Sequence, residues 1–168
     1  STQVDGNLLK ARLGPPVQLI GKAAFIEDPM GESLRLNGRT QDCVIAENFE
    51  TVSAFLPRKD ITVSAWVAVD AGEDYGGIVS VVQDNGDAET GWVLGYNRDV
   101  FTFGLASKGS DDGNGMMTYI AGKTPHQPGK IFHVVGVYDG QQIQLYVDGK
   151  LEAESSEQSG EILYPETA

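Results

Sequence analysis

Three stretches of the chain carry oxygen-rich side chains at spacings that suit a hard cation. Asp84-Asn85-Gly86-Asp87, with Glu89 beyond it, is one, and Asp111-Asp112-Gly113-Asn114 is another. Asp70, Glu73 and Asp74 form a third. Ca²⁺ takes about six to eight oxygens from carboxylates, amides and backbone carbonyls. Asp84, Asp87, Asp111 and Asp112 are therefore the candidate metal ligands, with Ca²⁺ as the expected ion. None of the stretches has the EF-hand spacing, because the closing glutamate is absent. Asp, Asn and Gly are also the residues that turns prefer, so ordinary turn chemistry accounts for the same letters.

A second chemistry is recognition of hydroxyl-rich rings. A sugar offers an apolar C–H face to an aromatic ring and hydroxyls to planar polar groups. Trp92, Tyr96, Asn97, Arg98 and Tyr119 are the candidate ligand contacts, and Tyr75 is weighed beside them. Trp92 reads also as a core residue. So does Trp66, which shares a strand face with Thr62 and Ser64. Tyr138 and Tyr146 read as sheet packing. The polar loop Lys108 to Gly115 has the composition of a surface loop.

Catalysis finds little support. There are 2 His residues, His126 in a Pro-flanked turn and His133 in a strand. No G-x-S-x-G elbow is present. Retaining glycoside hydrolysis needs two carboxylates about 5 Å apart. Alternate positions on one strand would supply them, and Glu152 with Glu154 is the pair found here. It lies in a Ser/Glu-rich stretch that reads as a solvated edge. The chain is expected not to be an enzyme.

The elements that must position these residues are strands. Across 168 residues there are 21 Gly and 7 Pro, which interrupt any long helix. Short β-branched and aromatic runs alternate with turn residues: Ala23–Glu27, Glu32–Asn37, Asp42–Ala46, Ile61–Asp70, Gly77–Asp84, Gly91–Asn97, Val100–Ser107, Gly115–Ala121, Lys130–Asp139, Gln141–Asp148 and Leu151–Glu154. Asn48 to Leu56 has near-helical apolar spacing that Pro57 ends, so a loop or one short turn is expected. Asp139-Gly140 and Asp148-Gly149 each separate alternating apolar runs, which predicts two type I′ hairpin turns and a three-stranded meander. The fold class is all-β, an antiparallel two-sheet β-sandwich.

Charge and composition bound the partners. There are 12 Lys+Arg against 24 Asp+Glu, a net charge of −12, which speaks against nucleic acid and anionic membrane surfaces. No apolar run approaches the roughly 20 residues of a membrane helix. The single Cys43 cannot form an internal disulfide. The chain opens on Ser1, which reads as a trimmed or processed piece.

The strings ITVSAWVAVD, GGIVS, GWVLGYN…FTFGLAS and IFHVVGVYDGQQIQLYVDGKL resemble the LamG-like jelly-roll family of the concanavalin A-like lectin/glucanase superfamily. Ile61–Val67 and Lys130–Leu151 carry most of the likeness, which runs over residues 23–151. Phe132 and His133 stand where the family has Trp-His. The family's closing "FxGxIDExRI" strand has no counterpart before Ala168. The resemblance implies one jelly-roll domain over residues 1–168, a fragment missing a terminal strand, with a sheet edge open to an edge-strand dimer. It implies a non-catalytic accessory module of a larger exported protein, beside neighbouring domains, that binds carbohydrate or another extracellular ligand. The alternative is a structural or protein-interaction module with no small ligand.

Overall fold

The structure is a computed structural model that describes residues 4–5, 7–10, 16–21, 24–37, 42–44, 49–84, 89–109 and 116–165. The chain divides into two compact units, residues 1–55 and 56–168. In the first, β1 (Val4–Asp5), β2 (Leu8–Leu9), β3 (Val17–Ile20), β4 (Ala24–Asp28), β5 (Gly31–Arg35) and β6 (Asp42–Val44) precede a five-residue helix, α1 (Phe49–Ser53). The strands form a four-stranded sheet, β1-β2-β3-β6, and a separate hairpin, β4-β5. Asp28 closes the hairpin by accepting hydrogen bonds from Met30 N at 2.7 Å and from the Ser33 hydroxyl. Strands β1 to β3 had no counterpart in the sequence reading, because two-residue and four-residue strands are too short to show a period.

The second unit holds β7 (Ile61–Val67), β8 (Gly76–Gln83), β9 (Thr90–Asn97), β10 (Val100–Leu105), β11 (Thr118–Pro125), β12 (Phe132–Tyr138), β13 (Ile143–Val147) and β14 (Lys150–Ser155). They make two antiparallel four-stranded sheets, β11-β10-β9-β8 and β14-β13-β12-β7. Strand alternation sends every second side chain inward. Leu94, Phe101, Phe103, Leu105 and Ile120 from one sheet meet Phe132, Val134, Ile143, Leu145 and Val147 from the other, all buried. The Phe101 and Phe132 rings meet edge-on at 5.4 Å. Phe103 sits against Gly136, where a Cβ would lie 2.5 Å from its ring. A bare glycine thus lets the two sheets close on a full aromatic side chain.

The two Asp-Gly turns differ. Val147 pairs with Lys150, leaving Asp148 (φ 49) and Gly149 (φ 77) as a two-residue turn with both φ positive, as type I′ requires. Tyr138 pairs with Ile143, so residues 139–142 form a four-residue loop in place of the expected type I′ turn. There only Gly140 is left-handed, at φ 90. The Asp139 carboxylate accepts from Gln141 N and Gln142 N, both at 2.9 Å. Those bonds reward a longer turn and hold the carboxyl below its usual range.

The segment after β14 is packed. Ile162 and Tyr164 are buried, and Leu163 takes a hydrogen bond from Gly91 N at 2.6 Å and gives one to Ala106 O at 2.9 Å. Gln158 is 3% exposed and accepts from Ser107 N and Oγ at 2.7 Å each, while its amide donates to Thr118 Oγ1 at 2.9 Å. A buried amide with both ends satisfied pins this segment to the residues just after β10 and to β11.

Candidate functional site

Several neighbouring outward residues of β8 to β10 are small. Register places Ser80 beside Val93, Val93 beside Gly104, and Gly104 beside Tyr119. The result is a depression of 330 Å³ whose floor is Gly77, Ser80, Val93 and Thr102. Tyr75, Val82, Asp84 and Tyr119 line it as well. Nothing lies within 4 Å of a Cβ built on Gly77, so that glycine opens directly onto free space.

Two tyrosines rise beside the floor, each for a local reason. A Cβ on Gly104 would lie 2.6 Å from the Tyr119 ring, so the ring rests on bare backbone. Its hydroxyl donates to Asp84 Oδ2 at 3.3 Å. Burial, then the charges of Asp84 and Glu89, push the Tyr119 hydroxyl up to about 12, so it stays a protonated donor at neutral pH. Tyr75 is 80% exposed and left-handed, at φ 61. Its loop is fastened to the β9–β10 turn. Arg98 N donates to Glu73 O at 3.0 Å, Arg98 Nε donates to Asp74 at 2.9 Å, and Gly72 leaves room for the Arg98 carbonyl. Those contacts hold a backbone conformation that costs a non-glycine residue free energy.

The sequence candidates are only partly brought together. Tyr119 and Asp84 line the depression; Tyr96 borders it, but its ring lies against Gly76, at the β9 position that pairs with buried Phe101. Trp92 is corrected: it points into the sandwich, 7% exposed, and its indole donates to the Tyr164 hydroxyl at 3.1 Å. β9 alternation puts it on the inner face with Leu94, so it offers no ring to a ligand. Arg98 is exposed on the turn, where the hydrogen bond and charge of Asp74 raise its already high pKa. Asn97 is half-buried at the end of β9. Neither of these two lines the depression.

Among the described residues, no three His, Cys, Asp or Glu side chains come together. Asp87, Asp111 and Asp112 lie outside the described residues. The third acidic stretch is spent on loop structure: Asp70 accepts from Gly129 N at 2.9 Å and Asp74 holds Arg98. Glu89 accepts from Met117 N at 2.5 Å.

Neither histidine reaches the depression. His126 Nε2 bonds the Arg98 carbonyl at 2.8 Å, and His133 stacks on Trp66 with ring centroids 4.6 Å apart. Trp66 is corrected from a core position: it is 60% exposed on the outer face of β14-β13-β12-β7, because it pairs with His133 while Phe132 and Val134 take the inward positions. The Glu152–Glu154 pair is also corrected. A register shift in the β13–β14 ladder separates the two residues, and Glu152 accepts from Lys123 N at 2.7 Å, Thr124 N at 3.0 Å and the Thr124 hydroxyl. Burial pushes the Glu152 carboxyl up, but those hydrogen bonds outweigh it and leave the group below its usual range. It ties β14 to β11.

The floor residues Gly77, Ser80 and Thr102 were missed. Small residues carry no chemistry of their own, and only cross-strand register shows them to be neighbours. The two-residue Arg98–Asp99 turn sets that register, by pairing Asn97 with Val100.

A laminin G family model, described as the concanavalin A-like lectin/glucanases superfamily, matches residues 39–167. The chain belongs to this superfamily. The match crosses the division between the two units and takes in every strand of the sandwich. Pappalysin-1 of Mus musculus is 27% identical over 161 residues, and that of Homo sapiens is 27% identical over 150. These alignments cover 89% and 83% of the chain but 9% of each relative. A carbohydrate binding module, CBM66 from Bacillus subtilis, superposes with TM-score 0.46 at 15% identity, over 88% of this chain and 81% of that one.

Proposed function

We propose that the chain is a non-catalytic module that binds carbohydrate in the depression on the outer face of β11-β10-β9-β8, within a larger exported protein. The observation that carries the reading is the pairing of two tyrosine rings with an open, small-residue floor. Rings can stack on the C–H face of a sugar, while Ser80, Thr102 and the Tyr119 hydroxyl meet its rim. The superfamily's lectin members support a binding role. Among the described residues the depression holds one carboxylate, Asp84, where hydrolysis with retention takes two. The far greater length of the two pappalysin relatives supports the accessory-module part of the reading.

Affinity electrophoresis against a panel of polysaccharides tests it. Tyr119→Ala and Tyr75→Ala are each expected to weaken retardation about tenfold or more. Retardation unchanged in both variants would overturn the site, and hydrolysis of any polysaccharide would overturn the non-catalytic reading. A Ca²⁺ ion held in part by Asp84, the one of the four expected ligands among the described residues, belongs to this proposed module. Thermal unfolding in millimolar Ca²⁺ and in EDTA tests it: a Tm rise of several degrees supports a site, and an unchanged Tm returns these residues to turn chemistry.

One observation favours a second reading, a protein-interaction module. Trp66 and Leu151 are 60% and 46% exposed on the other outer face, with Tyr146 nearby. Aromatic side chains of that kind are enriched at protein interfaces.

A further inference from the structure

We infer that the depression selects uncharged glycans and rejects polyanionic ones, a step that rests on the carbohydrate-binding reading above. Strands β8 to β11 contain no carboxylate, and Lys123 is their only cation. Lys123 sits beside Glu152, whose carboxyl it helps to keep ionised. The other nearby cation, Arg98, is held by Asp74 at 2.9 Å. Among the described residues, no side chain lining the depression is cationic, and the one charged group there is Asp84.

An anionic sugar unit would therefore have to give up its hydration shell without gaining an ion pair. Desolvating an unpaired charge is costly. With no Ca²⁺ at Asp84, a uronate or sulfate would also approach that carboxylate with like charge, on a chain whose net charge is −12. That long-range repulsion slows encounter with any polyanion. Uncharged hydroxyls face neither cost. They find uncharged donors and acceptors in Ser80, Thr102 and Tyr119, with Gly77 leaving space for the ring.

The test is a binding titration of the whole chain, in EDTA so that no Ca²⁺ at Asp84 supplies a cation, against two sets of probes at low and high salt. One set is neutral (a β-glucan, a xylan, a mannan, a levan), and the other is anionic (heparin, polygalacturonate, alginate). At least one neutral probe is expected to bind with affinity that changes less than about twofold between 50 and 500 mM salt, while the anionic probes do not bind. Gly77→Leu, whose side chain enters open space, is expected to abolish neutral binding with Tm retained. Ser80→Phe repeats that obstruction from a neighbouring strand position. Asp84→Lys adds a cation at the rim and is expected to admit an anionic probe that the native chain refuses.

Anionic probes binding the native chain as tightly as neutral ones, with Gly77→Leu blocking both, would overturn the selectivity while leaving the carbohydrate site in place. Binding to neither set would overturn the carbohydrate reading, and the selectivity with it. Neutral binding that survives both Gly77→Leu and Ser80→Phe would move the site elsewhere and overturn this inference.

Discussion

The two sheets of the sandwich share one core and turn opposite kinds of surface to solvent. On β11-β10-β9-β8 the outward positions hold Gly77, Ser80, Val93, Thr102 and Gly104, and the surface sinks into a 330 Å³ depression. On β14-β13-β12-β7 they hold Thr62 and Ser64 at one edge but Trp66, His133, Val135, Val137, Gln144 and Tyr146 over the rest, mostly larger side chains. A Trp66–His133 stack and a Tyr146–Gln144 hydrogen bond of 3.1 Å occupy the second face with the chain's own side chains. The difference teaches that the candidate site is made chiefly by what is missing. Glycine at Gly77 and Gly104 leaves room for a ligand and for the Tyr119 ring. The same absence of side chains at Gly136 serves the core.

The comparison breaks most completely if the shared core is opened. Phe103 contacts both sheets, so Phe103→Ala is expected to cost about 3–5 kcal/mol and to lower Tm by of order 10 °C, read by urea and thermal unfolding. Both outer faces should lose their structure together. A smaller effect is expected from the clamp between β14 and β11. Glu152→Ala leaves the Lys123 and Thr124 groups without their acceptor and should cost about 1–3 kcal/mol.

The pH dependence of that clamp follows from its lowered carboxyl. The Glu152 contribution is complete above the unfolded value of 4.5 and is lost as pH falls through the folded value below it. The native chain should therefore lose stability on acidification that Glu152→Gln does not lose, measured by Tm between pH 7 and pH 3. Tyr119 has the opposite sign. Its raised hydroxyl favours the folded state below pH 10, and that advantage is lost as pH rises toward about 12. An ultraviolet titration of the native chain against Tyr119→Phe should show one late-ionising tyrosine missing from the variant.

The smallest effect sharpens the contrast between the tryptophans. Trp66→Ala removes a largely exposed ring and one aromatic stack, so stability should change by about 1 kcal/mol or less. The remaining emission, from Trp92, should be blue-shifted and shielded from acrylamide. Quenching of Trp92 as efficient as that of free indole would contradict its burial.

Much of this sandwich was legible in the residues. Strong alternation in ITVSAWV, in VFTFGL and in the IFHVVGVYDGQQIQLYVDG meander located β7, β10, β12 and β13 to within a few residues, because a half-buried strand must alternate. The Asp148-Gly149 turn was legible for the same local reason. Asp139-Gly140 was not, since its carboxylate bonds two amides further on, a preference that the pair of letters does not display. The candidate site was legible in part. Tyr119 and Tyr75 were read as rings for a ligand and Asp84 only as a metal ligand, whereas Trp92 was misplaced because its face depends on which side of β9 is buried. The floor was invisible, since it exists only once four strands are in register.

The most direct measurement is a backbone amide NMR titration of the chain with a neutral oligosaccharide taken from the probe that binds. The largest shifts are expected on Gly77, Ser80, Gly104 and Tyr119, with Trp66, His133 and Tyr146 unmoved. Shifts confined to Trp66, His133 and Tyr146 would contradict a site in the depression and place recognition on the other outer face.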